Sequence, residues 1–413
     1  MTGSSSTVVP GFDPWSPAFV AWPYDAYADL REHAPVWRFD GTGQWMVSRY
    51  DDVNALLRDR RLGRTYRHVA SPEELGHPPD PEHLAPFWTL IRNGMLDREP
   101  PDHTRLRRLV SRAFTARTVE LLRPRVDALA DALVTDLLDA GADGSPVDLI
   151  ATVAEPLPVN VIAEMLGVPE SDRHLLRPWS AAICGMYELN PSAEAERAAV
   201  RASVDFSAYL RGLAAERRAN PGDDLISALT QVADDGDRLT VDELVGTCVL
   251  LLNAGHEATV NVTGNGWWSL LRYPAELDRL RTGQVGLATA VEELMRFDTP
   301  LQMFERWVLE DIEVRGVAIP RGSEVGLLFG SANHDPEVFA DPDRLDLSRA
   351  NNPHLSFGAG IHYCLGAPLA RIELVASFET VLRRVPALTL AAEPRWKPGY
   401  IIRGLESLDV TVR

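Results

Sequence analysis

The chain has 413 residues, of which 45% are hydrophobic and 24% charged, the balance of a globular protein with enough apolar material for a large core. Asp and Glu outnumber Lys and Arg by 59 to 41, and a net charge of -18 argues against nucleic acid or an anionic membrane surface as the main partner. No apolar run approaches the roughly 18 residues of a membrane span. Met1 to Pro10 lacks the basic-then-apolar order of a signal peptide, and three widely spaced cysteines point to a reducing compartment rather than a disulfide framework. A soluble, cytoplasmic monomer that binds no membrane is the expectation.

The small polar residues from Met1 to Val9 read as disordered, and 10–413 reads as one large domain, because no Ser/Gly-rich or charged linker divides it. Tyr24 to Ala34 has a helical pattern. Two strand-like pieces, Val36 to Asp40 and Gln44 to Tyr50, flank a Gly-Thr-Gly turn. Asp51 is the expected cap of a helix to about Arg58. From Leu62 to Pro101 the chain is irregular and rich in Pro, His and Gly, with one helical piece near Ala85 to Ile91; loops this long are usually functional. Helical periodicity then runs, with breaks, from Asp102 to about Asp298. Strand-like alternation follows between Val308 and Val317, a last helix spans about Ala367 to Arg384, and the tail reads as short strands. The fold class is mainly α with small β-sheets.

One thiol stands apart. Phe357-Gly-Ala-Gly-Ile-His-Tyr-Cys-Leu-Gly366 isolates Cys364 in a glycine-punctuated turn ahead of a helix. The glycines allow close approach to a flat ligand, and a following helix N-terminus favours thiolate over thiol. Inert burial suits Cys184 and Cys248, each within an apolar helical pattern, but leaves the glycines around Cys364 unexplained. Zinc could use His362 and Cys364, yet no CxxC or HxxxH pattern supplies further ligands. A lone thiolate suits the axial position of haem iron better.

The spacing F-G-x-G-x-H-x-C-x-G resembles the haem-binding loop of the cytochrome P450 monooxygenases, and the order of elements is similar to that family's fold over essentially the whole chain. The resemblance implies haem b with Cys364 as the metal ligand, His362 near a propionate, Phe357 shielding the sulfur and Gly366 closing the motif. It makes His103 and Arg107, at i and i+4 on DHTRLRRLV, and Arg306 further propionate partners. It makes Glu293 and Arg296 the family's E-x-x-R, a structural pair completed by an arginine of the following segment, for which Arg344 matches best.

The segment LLLNAGHEATVNVT is similar to the family's distal-helix motif A-G-x-[D/E]-T-[T/S]. Ala254, Gly255 and Glu257 match it. Ala258 stands where the alcohol is expected, and Thr259 follows about 100° further round the helix, where its hydroxyl is expected to bond back to the Gly255 carbonyl. Glu257, Ala258 and Thr259 are therefore the residues at which proton delivery to O2 is decided. Family topology lines a substrate pocket with Ile91, Leu96, Met186, Ala254, Leu301, Phe304 and Ile401, which suits a hydrophobic or amphipathic small molecule.

No nicotinamide or flavin fingerprint is present, so electrons from NAD(P)H are expected to arrive indirectly through a ferredoxin, docked on a basic patch with Arg108 and Arg112. Hydroxylation or epoxidation of a bacterial secondary metabolite is the leading expectation. Oxidative coupling or desaturation, a peroxide-driven reaction, and a non-catalytic haem sensor or carrier remain alternatives.

Overall fold

Apolar periodicity and local chemistry set the boundaries of the longest helix, Val241–Arg272. Thr240 caps it: its hydroxyl accepts from the Glu243 N–H at 3.2 Å, while the Glu243 carboxylate accepts from the Thr240 N–H at 2.9 Å. Pro274 follows its end and opens the next helix, Pro274–Arg281. A computed structural model describes residues 11–233 and 236–412 of the chain. The expectation of a disordered Met1 to Val9 lies outside the described residues.

The chain divides into two compact units. The first comprises the chain up to Pro79, Asp278–Cys364 and Trp396–Gly404. Its framework is a five-stranded sheet in the order Val36–Arg38, Trp45–Val47, Glu324–Leu327, Phe304–Val308, Leu62–Gly63, with only Trp45–Val47 and Glu324–Leu327 parallel. Val47, Val308, Val325 and Leu327 are fully buried and join Val53 and Phe329 in one core cluster. The second unit comprises Asp80–Leu277, Leu365–Arg395 and the chain from Leu405. It is helical, with Val241–Arg272 supplying Leu244, Val245, Cys248, Val249 and Leu252 to the core, and it carries a small antiparallel sheet of Val147–Asp148, Asp409–Val412 and Leu388–Leu390.

The last helix runs Ala367–Arg384, as its pattern indicates, but several edges differ from the sequence reading. The two early strands are three residues each, and the helix after them is Tyr50–Leu56. Asp51 lies inside its first turn and does not cap it. The cap comes from afar: the Asp335 carboxylate accepts from the Tyr50 N–H at 3.0 Å. Both Cys184 and Cys248 are buried, and desolvation pushes the Cys248 thiol up to about 12.

Glu324 gives the sheet a pH dependence. Its cross-strand partner is Trp307, while Glu305 faces Gly326, so the two carboxyls share one face. Loss of water, with the Glu305 charge second, raises Glu324 from 4.5 to about 8, so the folded chain holds a proton that the unfolded chain releases. The resulting stabilisation is complete below about pH 4.5 and is lost as pH rises towards about 8. Glu324→Gln is expected to flatten that decline in melting temperature between pH 5 and pH 8; an unchanged slope would show that this carboxyl titrates normally.

Candidate functional site

In the first unit, the cysteine loop is built by three hydrogen bonds and two left-handed glycines. Gly358 donates to the Leu355 carbonyl at 2.7 Å, Tyr363 to the Gly360 carbonyl at 3.1 Å, and the Cys364 N–H to the Phe357 carbonyl at 3.0 Å. Gly358 and Gly360 have φ of +67° and +70°, where a side chain would be strained. At Gly360 a Cβ would also lie 2.4 Å from the Leu57 carbonyl oxygen. The loop leaves Cys364, Phe357 and His362 half-buried.

Its stem is held by groups the sequence did not single out. Ser356 Oγ donates to the Met295 carbonyl at 2.8 Å, and Asn333 bonds the loop twice, accepting from Leu355 N–H at 2.8 Å and donating to Ser356 Oγ at 3.0 Å. Asn333 is in turn fixed by Arg296, whose Nη1 donates to its carbonyl at 2.8 Å.

Arg296 and Glu293 are each fully buried and form a two-pronged pair, Nε to Oε2 and Nη2 to Oε1, both at 2.8 Å. The arginine that completes the pair is not Arg344. Arg349 Nε reaches Glu293 Oε2 at 3.0 Å, and the Asp346 N–H and Asn352 side chain supply further donors. Arg344 lies on a turn closed by its own N–H to the Asp341 carbonyl. Its side chain is exposed, and it offers the cluster only a carbonyl, 3.4 Å from Arg296 and from Arg349. Also in this unit, Arg306 is buried with its guanidinium 5.0 Å from the Phe304 ring centre. The Gln302 N–H donates to the Ile401 carbonyl, beside a bridge between Leu301 and Ile402.

In the second unit, the helix Asp102–Ala113 buries His103 and half-buries Arg107 on one side. Arg105 is engaged by Glu243 and by Asp237, the latter at 3.2 Å, whereas Arg108 and Arg112 are exposed. The helix Val241–Arg272 is mostly buried, but around the motif it opens: Ala254 is exposed, and Leu250, Gly255, Glu257 and Ala258 are half-buried. Ile91, Gly94, Leu96, Asp97, Tyr187 and Leu250 meet with Gly246 around a crevice. Met186 packs against the core of the unit, as Leu250 does.

Thr259 does not bond back to Gly255. Its hydroxyl bonds the carboxyl of Glu373, on the helix Ala367–Arg384. Glu373 is buried, and desolvation raises its pKa well above 4.5, opposed only in part by that hydrogen bond. The sequence reading missed this acid. The available signal was a glutamate on the buried stripe Leu369, Glu373, Ala376, Ser377, Thr380.

Among the described residues, no group of three or more His, Cys, Asp or Glu could hold a metal ion, so the donor set at Cys364 is a single sulfur. One thiol in a glycine cradle fits the axial ligation of haem and not a zinc site. Comparison with known proteins agrees. The family model for cytochrome P450 matches residues 287–391. Cytochrome P450 monooxygenase PikC of Streptomyces venezuelae is 41% identical over 403 residues, which cover 96% of this chain and 92% of PikC.

The chain belongs to the cytochrome P450 family.

A second P450 relative, 6-deoxyerythronolide B hydroxylase of Saccharopolyspora erythraea, is 41% identical and aligns over 95% of this chain and 96% of its own. Among solved structures, P450BioI in complex with an acyl carrier protein bearing hexadec-9Z-enoic acid matches with a TM-score of 0.88 and 38% identity, over 96% of this chain and all of that one. The protein is thus a P450 monooxygenase with the P450 fold, using haem, O2 and reducing equivalents. Among the described residues no helix is long and apolar enough to cross a membrane.

Proposed function

We propose that this P450 inserts one atom of O2 into an apolar or amphipathic small molecule, a bacterial secondary metabolite, drawing electrons from a ferredoxin and its NAD(P)H-dependent reductase. The observation that carries the reading is the lone Cys364 thiol in its clamped glycine loop. Cys364 holds haem b from one side, with Phe357 beside the sulfur and Gly366 ending the loop. Arg306 and His362, both in the first unit, would serve the propionates. Haem so bound supplies O2 activation and substrate oxidation. Ile91, Leu96 and Ala254, all in the second unit, offer apolar surface to the substrate. Arg108 and Arg112, exposed on one helix, are the docking cations for an acidic ferredoxin.

Proton supply falls to two carboxyls. Glu257 stands on the open stretch of its helix and exchanges protons with water. Glu373, whose burial raises its pKa well above 4.5, is linked to that helix through Thr259. Ala258 supplies no hydroxyl, so ordered water or a substrate hydroxyl completes the path. The departure at Ala258 keeps a second outcome, oxidative coupling or desaturation without net hydroxylation, as the alternative reading. Ala258→Thr is expected to change the ratio of product formed to electrons consumed; constant coupling across several substrates would remove this position from the path.

Reconstitution with a ferredoxin, its reductase, NAD(P)H and isotopically labelled O2 tests the whole reading. Label in the product is the expected result. Oxidised product without label assigns coupling or desaturation, and reduction without any product assigns a sensor or carrier.

A further inference from the structure

The five-stranded sheet of the first unit carries a groove that the reading above leaves unused. It opens where the turn Pro320 to Ser323, leading into the strand Glu324–Leu327, meets the hairpin turn at Thr42 and Gly43, and its volume of about 520 Å³ is enough for a small organic molecule. Its walls are set in advance. Trp307 packs against His77 and Tyr66 at ring separations of 5.0 and 4.7 Å, and His77 Nε2 bonds the Gly322 carbonyl at 2.9 Å. Trp45 and Leu75 add apolar surface.

Three ionisable groups give the groove a sign. Arg38 and Arg321 line it, both exposed, and among the described residues neither forms an ion pair. Arg38 Nε donates to the Gly43 carbonyl at 3.1 Å, which leaves its two Nη groups for another acceptor, and Arg321 influences Glu74 without reaching it. In a chain where 59 acidic residues face 41 basic ones, two guanidiniums in one groove without a carboxylate are placed to hold one from outside. The third group is Glu324, which would repel an anion if ionised. Gln44 bonds it, Glu305 lies beside it on the same face, and Arg64 is the cation that acts on it; burial, with the Glu305 charge second, raises it from 4.5 to about 8. Below that pH it is mostly neutral and able to donate a hydrogen bond.

We propose that the groove is a second binding site, which takes an organic anion: a carboxylate held by Arg38 and Arg321, with an aromatic or apolar body against Trp45, Trp307 and Leu75. A carboxylate can accept from both planar guanidiniums, and the aromatic walls favour a flat body.

Calorimetric titration of the haem-loaded protein with biphenyl-4-acetate, and with biphenyl-4-ethanol as its uncharged analogue, tests it. Wild type is expected to bind the acid about tenfold tighter than the alcohol, and Arg38→Gln with Arg321→Gln to lose that preference. Both arginines are exposed, so the fold is not at risk. The preference should fall as pH rises through about 8 and hold steady in Glu324→Gln. A wild type without the preference, a preference that survives the loss of both arginines, or one that ignores pH in wild type overturns the proposal. The haem spectrum is recorded in the same titrations: uptake at the haem registers there as a shift, and failure of the P450 reading, with no thiolate signature, leaves the calorimetric result standing.

Discussion

Glu293→Ala is expected to lower stability by about 3–5 kcal/mol and to yield protein that does not retain haem. The magnitude follows from what is stranded. Arg296 is fully buried, and among the described residues Glu293 is the only carboxylate bonded to it; its remaining bonds go to the carbonyls of Asn333, Pro342 and Arg344. Those carbonyls cannot neutralise a guanidinium, so most of the penalty for an uncompensated buried charge falls on the folded state. Arg296→Ala should be milder in charge, because Glu293 keeps Arg349 at 3.0 Å. It should nevertheless harm the cysteine loop, because Arg296 holds the Asn333 backbone and Asn333 holds Leu355 and Ser356. Denaturant midpoints and the ratio of haem to protein check both. A Glu293→Ala protein of wild-type stability, fully loaded with haem, would remove the pair from the support of the loop.

Glu257→Gln and Glu373→Gln should each slow turnover by about 100-fold, at the lower end of what positioned acid–base groups contribute. The two differ in stability. Burial raises Glu373 well above its ordinary 4.5, so its stabilising contribution is complete below about pH 4.5 and declines as pH rises above it. Glutamine imitates the protonated form, so Glu373→Gln should leave stability intact at low pH and improve it near neutrality. A variant that folds better but turns over slowly separates proton supply from packing. If both acids serve one path, the double variant should lose little more than either single one. Wild-type turnover in Glu373→Gln would confine that acid to the interior as a packing group.

The sequence carried the glycine-cradled thiol, the open helix and the buried pair because each is local: the glycines sit within a few residues of Cys364, and E-x-x-R spans one helical turn. What it missed is non-local. Arg349 rather than Arg344 completes the pair, and the choice depends on how an irregular segment turns back on the helix Leu287–Phe297, which no periodicity encodes. Asn333 and Ser356 are unremarkable polar residues until their bonds are seen. Asp51 looked like a cap because acid residues favour helix starts, yet Asp335, 285 positions from Tyr50 in sequence, provides it. Thr259 was assigned its nearest carbonyl, and a buried acid on another helix took the hydroxyl instead. Helix length was legible where an apolar stripe and a stop signal coincide, as at Ala367–Arg384, while short strands depend on partners far along the chain.

The central claim is that Cys364 presents a thiolate to haem iron, and the carbon monoxide difference spectrum of the reduced protein tests it most directly. The wild type should give the red-shifted band of thiolate ligation, and Cys364→Ser should lose it while keeping the fold of the second unit. A wild-type band at the position of histidine-ligated haem, or a thiolate band that survives Cys364→Ser, would contradict the account.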